Sequence, residues 1–454
     1  MSKQRKYIDF KLFLTRASHD ARSCQVALLP TAEVGETVLP VIIPHFAEKL
    51  APYLPYLPAK SITLRNLVKL GKALADLMLP KGDIRNLFKE SLKQAGNKGG
   101  VRLRLIIADH ELKKLPWEYV FLNLLDDNDS MRGFLALEPR ISIMRHEPLA
   151  LPHPTALDDA DATSGLRLMV TTASPHDSNL SPLDVKREVV MLQNTLDSFE
   201  VDGLRLNLQP IIENATPIEV ADALQQPTKP HMFHFVGHGQ TQKSTDPFSR
   251  GGTREEGILY FIDDKATQTA EPVKADDLAK YLQQAGVWLV TLGACYSAER
   301  SARHPWDSVA GALIARGIPA VVAMQYPIYD DKAPDFTRAF YNAIASGLSL
   351  DEAMSFGRLA MYETSSFDLD RRAPLEWGVP VLYSRLPDGN LVQQLTTRES
   401  ETADNIRLSI DMVVKTVEKG GRMIGIDTNK AVSGEIKMEA DRVIGDMIGV
   451  KRSL

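Results

Sequence analysis

Two rhythms of apolar residues alternate between Val101 and about Arg385. Short, nearly unbroken apolar runs are followed by stretches in which apolar residues recur every three or four positions. Runs of the first kind fit strands buried on both faces, and those of the second fit helices with one apolar stripe. Their alternation predicts a largely parallel sheet covered by helices. The expected strands are residues 101–108, 166–172, 204–212, 231–236, 287–295 and 320–324. Thr216 with Glu219, and Ser349 with Glu352, have the spacing of capping boxes, in which hydroxyl and carboxylate each satisfy an orphan amide at a helix start. Residues 152–165, with Asp158, Asp159 and Asp161 among small residues, read as a surface linker.

Ahead of this block, Ile8, Phe10, Leu12 and Leu14 alternate with other residues as in a strand, and a second strand is expected around 24–28. A stretch containing Pro40, Pro44, Pro52, Pro55 and Pro58 follows. Two helices are then predicted, one carrying Leu64, Leu67, Val68, Leu74, Leu77 and Met78, the other opened by Asp83 with Ile84, Leu87, Phe88 and Leu92 on one face. The glycines at 96, 99 and 100 break the pattern. The expected organisation is an N-terminal mixed accessory region over 1–99, an α/β domain over 100–385, and a linker with a short Gly-rich β tail over 386–454. Within the tail, R-[MV]-I-G recurs at 422–425 and 442–445 as a weak internal repeat.

Composition narrows the function classes. No stretch of 18 uninterrupted apolar residues occurs, so no membrane span is expected, and the strand-like start lacks the apolar block of an export signal. A net charge of -5 without a concentrated basic run argues against direct nucleic-acid binding. Cys24 and Cys295 are the two cysteines, far apart and in unlike contexts. A disulfide framework is therefore not expected, and a reducing, cytoplasmic setting is.

The chemistry concentrates at two strand ends. One apolar run ends in Gly237-His238-Gly239, the other in Gly293-Ala294-Cys295. Reactive groups in parallel sheets collect at the carboxyl ends of strands. Cys295 lies 57 residues after His238, and a histidine about 50 residues upstream of an Ala-preceded cysteine is the caspase arrangement. An imidazole that accepts the thiol proton raises the thiolate fraction, which is only a few per cent at neutral pH for a free cysteine. His231, His234 and His238 could suggest zinc, but no thiols or carboxylates cluster with them; neither a metal nor another cofactor is expected. Trp117 and Trp377 read as packing residues, and GGRMIG in the tail reads as a β turn and not a dinucleotide fingerprint.

With HFVGHG and LGACYS, the segments LPWEYVF, FLALEPR, VAGALIARGIPAVVAMQYPI and EWGVPVLY resemble, in this order, the CHAT family of caspase-like cysteine peptidases over about residues 100–385. The resemblance implies a caspase-like α/β sandwich and a cysteine endopeptidase. His238 would be its base and acid, Cys295 its nucleophile, and the backbone amides of Gly239 and Cys295 its oxyanion hole. It also implies a prokaryotic effector of defence or cell death, cutting a dedicated protein substrate downstream of a sensor or activator protein. Gly293 and Ser297 stand where caspases have glutamine and glycine, so preference for aspartate does not carry over. By resemblance to the related protease separase, Asp330 is a candidate for selecting a basic substrate residue; its alternative role is to cap the helix beginning near Ala333. The competing function class is a catalytically silent caspase-like fold serving as a partner-binding or signalling scaffold.

Overall fold

The computed structural model describes residues 5–17, 20–35, 38–124, 133–154, 165–177, 180, 183, 185–197, 206–244, 254–293, 305–326, 332–362, 374–391, 417–427 and 443–451. The chain divides into two compact units, Met1–Val392 and Gln393–Leu454.

The first unit is built on one large sheet. Its strands are β1 (Lys6–Ala17), β2 (Asp20–Leu29), β3 (Val38–Ile43), β4 (Gly99–Ile107), β5 (Ile141–Arg145), β6 (Leu166–Thr172), β7 (Leu206–Leu208), β8 (Met232–Val236), β12 (Leu289–Gly293), β13 (Ala320–Met324) and β14 (Pro380–Ser384). A smaller antiparallel sheet contains β9 (His238–Ser244), β10 (Arg254–Ile262) and β11 (Ala270–Lys274). The large sheet has the order β3-β2-β1-β4-β5-β14-β13-β12-β8-β6-β7.

Within it, β1, β4, β5 and β14 pair in parallel, and so do β13, β12, β8, β6 and β7. The two groups meet antiparallel at β13 and β14, where Ala320 faces Ser384 and Met324 faces Pro380. The expected α/β class with a mostly parallel sheet is therefore what the chain adopts. In β8, β12 and β13 every residue is buried, as strands covered on both faces require. Both predicted capping boxes are present, at Thr216–Glu219 and Ser349–Glu352. The two N-terminal helices run over Leu64–Met78 and Asp83–Ala95.

Several parts of this architecture differ from the periodicity reading. The stretch around Pro40 contains β3, which is tolerated because β3 is the sheet edge and proline there leaves no ladder partner unsatisfied. Residues 204–212 yield only the three-residue β7, with an isolated bridge from Thr171 to Ile212. The small sheet was not anticipated at all. The N-terminal strands continue the main sheet, since β1 pairs with β4 along its length from Lys6–Gly99 to Leu14–Ile107.

A buried ionic network joins sequence-distant parts of this unit. Arg102 on β4 donates to Asp351 Oδ1 at 2.9 Å and to Asp9 Oδ1 of β1 at 3.0 Å, and its Nη2 reaches the carbonyl of Asp388 at 2.7 Å. Ser142 of β5 also donates to Asp351, and Arg104 donates to the Leu386 and Pro387 carbonyls. Burial opposes the Asp351 carboxylate, but the charge and hydrogen bonds of Arg102, with the hydroxyl of Ser142, outweigh it and hold the carboxyl below its usual range. Replacing one member strands the others, because a buried charge without its partner costs more than the intact pair contributes. Asp351→Ala is expected to lower stability by about 3 kcal/mol in denaturant titration. Because the folded carboxyl titrates below its unfolded value, the stabilisation it gives wild type is present above the ordinary carboxylate range and fades as pH falls through the folded value. An unchanged midpoint in the variant at neutral pH would contradict this account.

Candidate active site

The site begins with register. β6, β8 and β12 end side by side, with Thr172 opposite Val236 and Val236 opposite Gly293. The Gly237 amide then donates to the Gly293 carbonyl at 3.4 Å. The residue before His238 is thus tied to the residue two positions before Cys295, at one shared strand end. A side chain at position 237 has no room: a Cβ there would lie 2.4 Å from the Phe235 ring and 3.2 Å from the Ala173 carbonyl. Gly237 lets the chain leave the large sheet and enter the small one.

His238 is the first residue of β9, opposite Tyr260 on β10, and is 4% exposed. The sequence reading ended its strand at this histidine; in the structure Gly237 separates two strands and His238 opens the second. Gly239 follows on β9, opposite Leu259. The small sheet is held to the large one by Phe235 and Phe261, whose ring centroids are 5.0 Å apart. The helix Pro305–Ala315 also lies against this small sheet, so close to β10 that a Cβ on Gly257 would fall 2.6 Å from the Val309 amide nitrogen. Thr241 of β9 and Ser308 of that helix share a hydroxyl hydrogen bond at 3.1 Å. Both flanks of the segment containing Cys295 are therefore fixed, by β12 before it and by this helix after it. Cys295 and Asp330 themselves lie outside the described residues. The helix beyond Asp330, Ala333–Ala345, has Lys332 at its N-cap with no side-chain cap.

The other histidines of the H-x2-H-x3-H run serve separate networks. His231 Nδ1 accepts from the Arg167 amide at 3.2 Å. His234 is buried, its Nδ1 3.0 Å from the Tyr341 hydroxyl, which donates to Thr291 of β12 at 3.1 Å. Among the described residues no group of three or more His, Cys, Asp or Glu could hold a metal ion. Cys24 is fully buried, and burial first, with nearby Asp109, pushes its thiol up to about 12, which removes it as a nucleophile.

Sequence reasoning missed a buried polar cluster at the end of β13. Gln325, the residue after that strand, donates from Nε2 to Glu118 Oε2 at 2.8 Å and to the Gly378 carbonyl at 2.7 Å. Arg145, at the end of β5, donates to Glu118 Oε2 at 3.2 Å and to the Tyr383 hydroxyl at 3.1 Å. The signal was available: Glu118 and Gln325 are polar residues embedded in the apolar segments LPWEYVF and VVAMQY. Trp117 and Trp377 are fully buried, and Trp377 packs edge-on against Tyr119 at 5.1 Å, as packing residues should.

These features define an α/β protein with a large, mostly parallel sheet, in which β8 and β12 finish level just before His238 and just before the segment that carries Cys295. Residues 68–385 match the CHAT domain family, well over half of the chain, and the protein belongs to that family. No curated protein matches it. Among solved structures it is similar to Saccharomyces cerevisiae separase in its complex with securin, at 11% identity and a TM-score of 0.42, over 83% of this chain and 30% of that one. The chain thus spans about a third of the length of that protein. The Drosophila initiator caspase Dronc is similar at 9% identity and a TM-score of 0.28, over 51% of this chain and 86% of Dronc. Among the described residues no helix is long and apolar enough to cross a membrane.

Proposed function

We propose that this CHAT protein is a cysteine endopeptidase that cuts a dedicated protein substrate through a His238–Cys295 dyad. The observation that carries the reading is the Val236–Gly293 register, closed by the Gly237–Gly293 hydrogen bond, which brings the two motif-bearing strand ends together. Cys295 is two residues beyond Gly293, and two residues of chain span at most about 7 Å. In this proposal His238 takes the thiol proton, giving the thiolate that attacks the peptide carbonyl. The backbone amides of Gly239 and Cys295 stabilise the developing oxyanion, a contribution of about 100- to 1000-fold in rate per donor. The imidazolium then protonates the leaving amine, and the same histidine activates the water that releases the acyl group.

The proposed setting is a prokaryotic defence or cell-death pathway in which a sensor or activator protein licenses cleavage, the setting implied by family membership. Asp330 follows β13, the strand beside β12, and is proposed to select a basic residue on the amino side of the cut. A carboxylate shielded from water favours arginine through bidentate, charge-assisted hydrogen bonds.

A thiol-directed peptide electrophile should label the wild-type chain at Cys295. Cys295→Ala should abolish labelling and His238→Ala should slow it by at least about 100-fold, while Cys24→Ser labels as wild type does. All three should keep the wild-type circular dichroism spectrum. A folded wild-type protein that is not labelled would favour the silent scaffold instead. For specificity, a peptide library should show a preference for Arg or Lys that Asp330→Ala loses. An acidic or apolar preference in wild type would remove Asp330 from that role.

A further inference from the structure

The second compact unit contains β15 (Val417–Asp427) and β16 (Val443–Lys451), which pair with each other in parallel. Past an irregularity between Val417 and Gly421, the register is constant at an offset of 24 residues: Gly421 faces Gly445, Met423 faces Met447, and Ile424 faces Ile448. Paired in this way, GRMIGID lies on GDMIGVK, so like stacks on like at every apolar and glycine position. This is not the alignment of the two R-[MV]-I-G segments noted in the sequence, which are offset by 20 residues, at 422 and 442. The structural repeat is longer and more complete. Charge supplies the exception to like-on-like, because Arg422 faces Asp446 and Asp427 faces Lys451.

Two stacked repeats do not make a finished structure. An isolated two-stranded sheet is marginal in water, and stacked repeats generally need three or more units before a continuous core is buried. Among the described residues β15 and β16 pair with no other strand, so each has one edge whose backbone groups lack a ladder partner. Neither strand contains proline, which would have blunted those edges.

We infer that this unit is a self-assembly element in which β16 of one copy pairs with β15 of the next, in the same parallel register that joins the two strands within a copy. The partner is a second copy of this chain, and the charge pattern selects this order. With β16 on β15, Asp446 again meets Arg422 and Lys451 again meets Asp427, so the sign alternates at every level of a growing stack. Pairing β15 with β15 in register would set Arg422 on Arg422 and Asp427 on Asp427, which is unfavourable. The interface is head-to-tail and has no closing symmetry, so it propagates into an open stack. This inference goes beyond the peptidase reading and does not rest on it.

The test uses the full-length chain, followed by analytical sedimentation across a concentration series and by fibre diffraction of the assembled material. Wild type should assemble with rising concentration and give the reflection near 4.7–4.8 Å that stacked strands produce. Asp446→Arg sets like charges opposite Arg422 at every level, and should raise the concentration for half-assembly by at least about fivefold. Adding Arg422→Asp restores the alternation with reversed sign and should return assembly toward wild type. A wild-type chain that stays monomeric at high micromolar concentration would overturn the inference. So would single and double variants that assemble as wild type does, since that outcome would mean association without this register, and so would a double variant no better than Asp446→Arg.

Discussion

The parallel pairing of β8 with β12 is the constraint on which the candidate site depends. The two strands are separated by more than fifty residues of chain, yet their register is set by the burial of both faces. A slip of one residue in either strand would turn Phe233, Phe235, Val290 and Leu292 toward the wrong layers. Register is therefore strongly specified where it matters, and Val236 and Gly293 finish level. Everything downstream is local: Gly237 provides a turn no larger residue would fit, His238 opens a second sheet, and the helix after the Cys295 segment is packed against that sheet. A hydrophobic core that explains its own strands thus also sets Val236 and Gly293, the last residues of the two strands, level with each other.

The buried ionic clusters serve a different purpose from the core. Arg102 with Asp351 and Asp9 connects β1, β4 and the Leu350–Met361 helix, and its bonds to the carbonyl of Asp388 hold the chain as it leaves β14. Glu118, Arg145 and Gln325 connect a short 3-10 turn, the end of β5 and the end of β13. Desolvating such groups offsets most of what their attraction returns, so their net contribution to stability is small. Their geometry is nonetheless demanding. Each arginine engages carboxylates and carbonyls from several elements, and alternative packings would leave a charge buried without a partner. The junction of the two parallel strand groups, at β13 and β14, is where the second cluster sits, and there the Gln325 backbone amide donates to the Val379 carbonyl at 3.0 Å.

Much of the large sheet was legible because buried parallel strands leave unbroken apolar runs, and β4, β6, β8, β12 and β13 were all found from such runs. The capping boxes at Thr216 and Ser349 were equally plain, being local chemistry. Much of what escaped was short or polar. β14 is five residues beginning with proline, β5 contains an internal serine and a terminal arginine, and β9 reads HGQTQKS with hardly an apolar residue. Strand formation there comes from tertiary pairing, which no window of sequence contains. For the same reason the sequence placed His238 at the end of a strand when it begins one. Glu118 and Gln325 were overlooked because their value lies in partners 207 residues apart. In the tail, the four-residue R-[MV]-I-G match suggested an offset of 20, while pairing aligned six residue pairs at 24, since a sheet scores glycine, apolar and charge positions together.

The account's central claim is that His238 and Cys295 act as one unit at the joined strand ends. The most direct test is the pH dependence of Cys295 alkylation by a small electrophile, measured on the intact chain with Cys24 replaced by serine. The account predicts an inflection well below the ordinary thiol value of about 8.5, which moves up toward that value in His238→Ala. Superimposable profiles in the two proteins, with inflections near the ordinary thiol value, would contradict it.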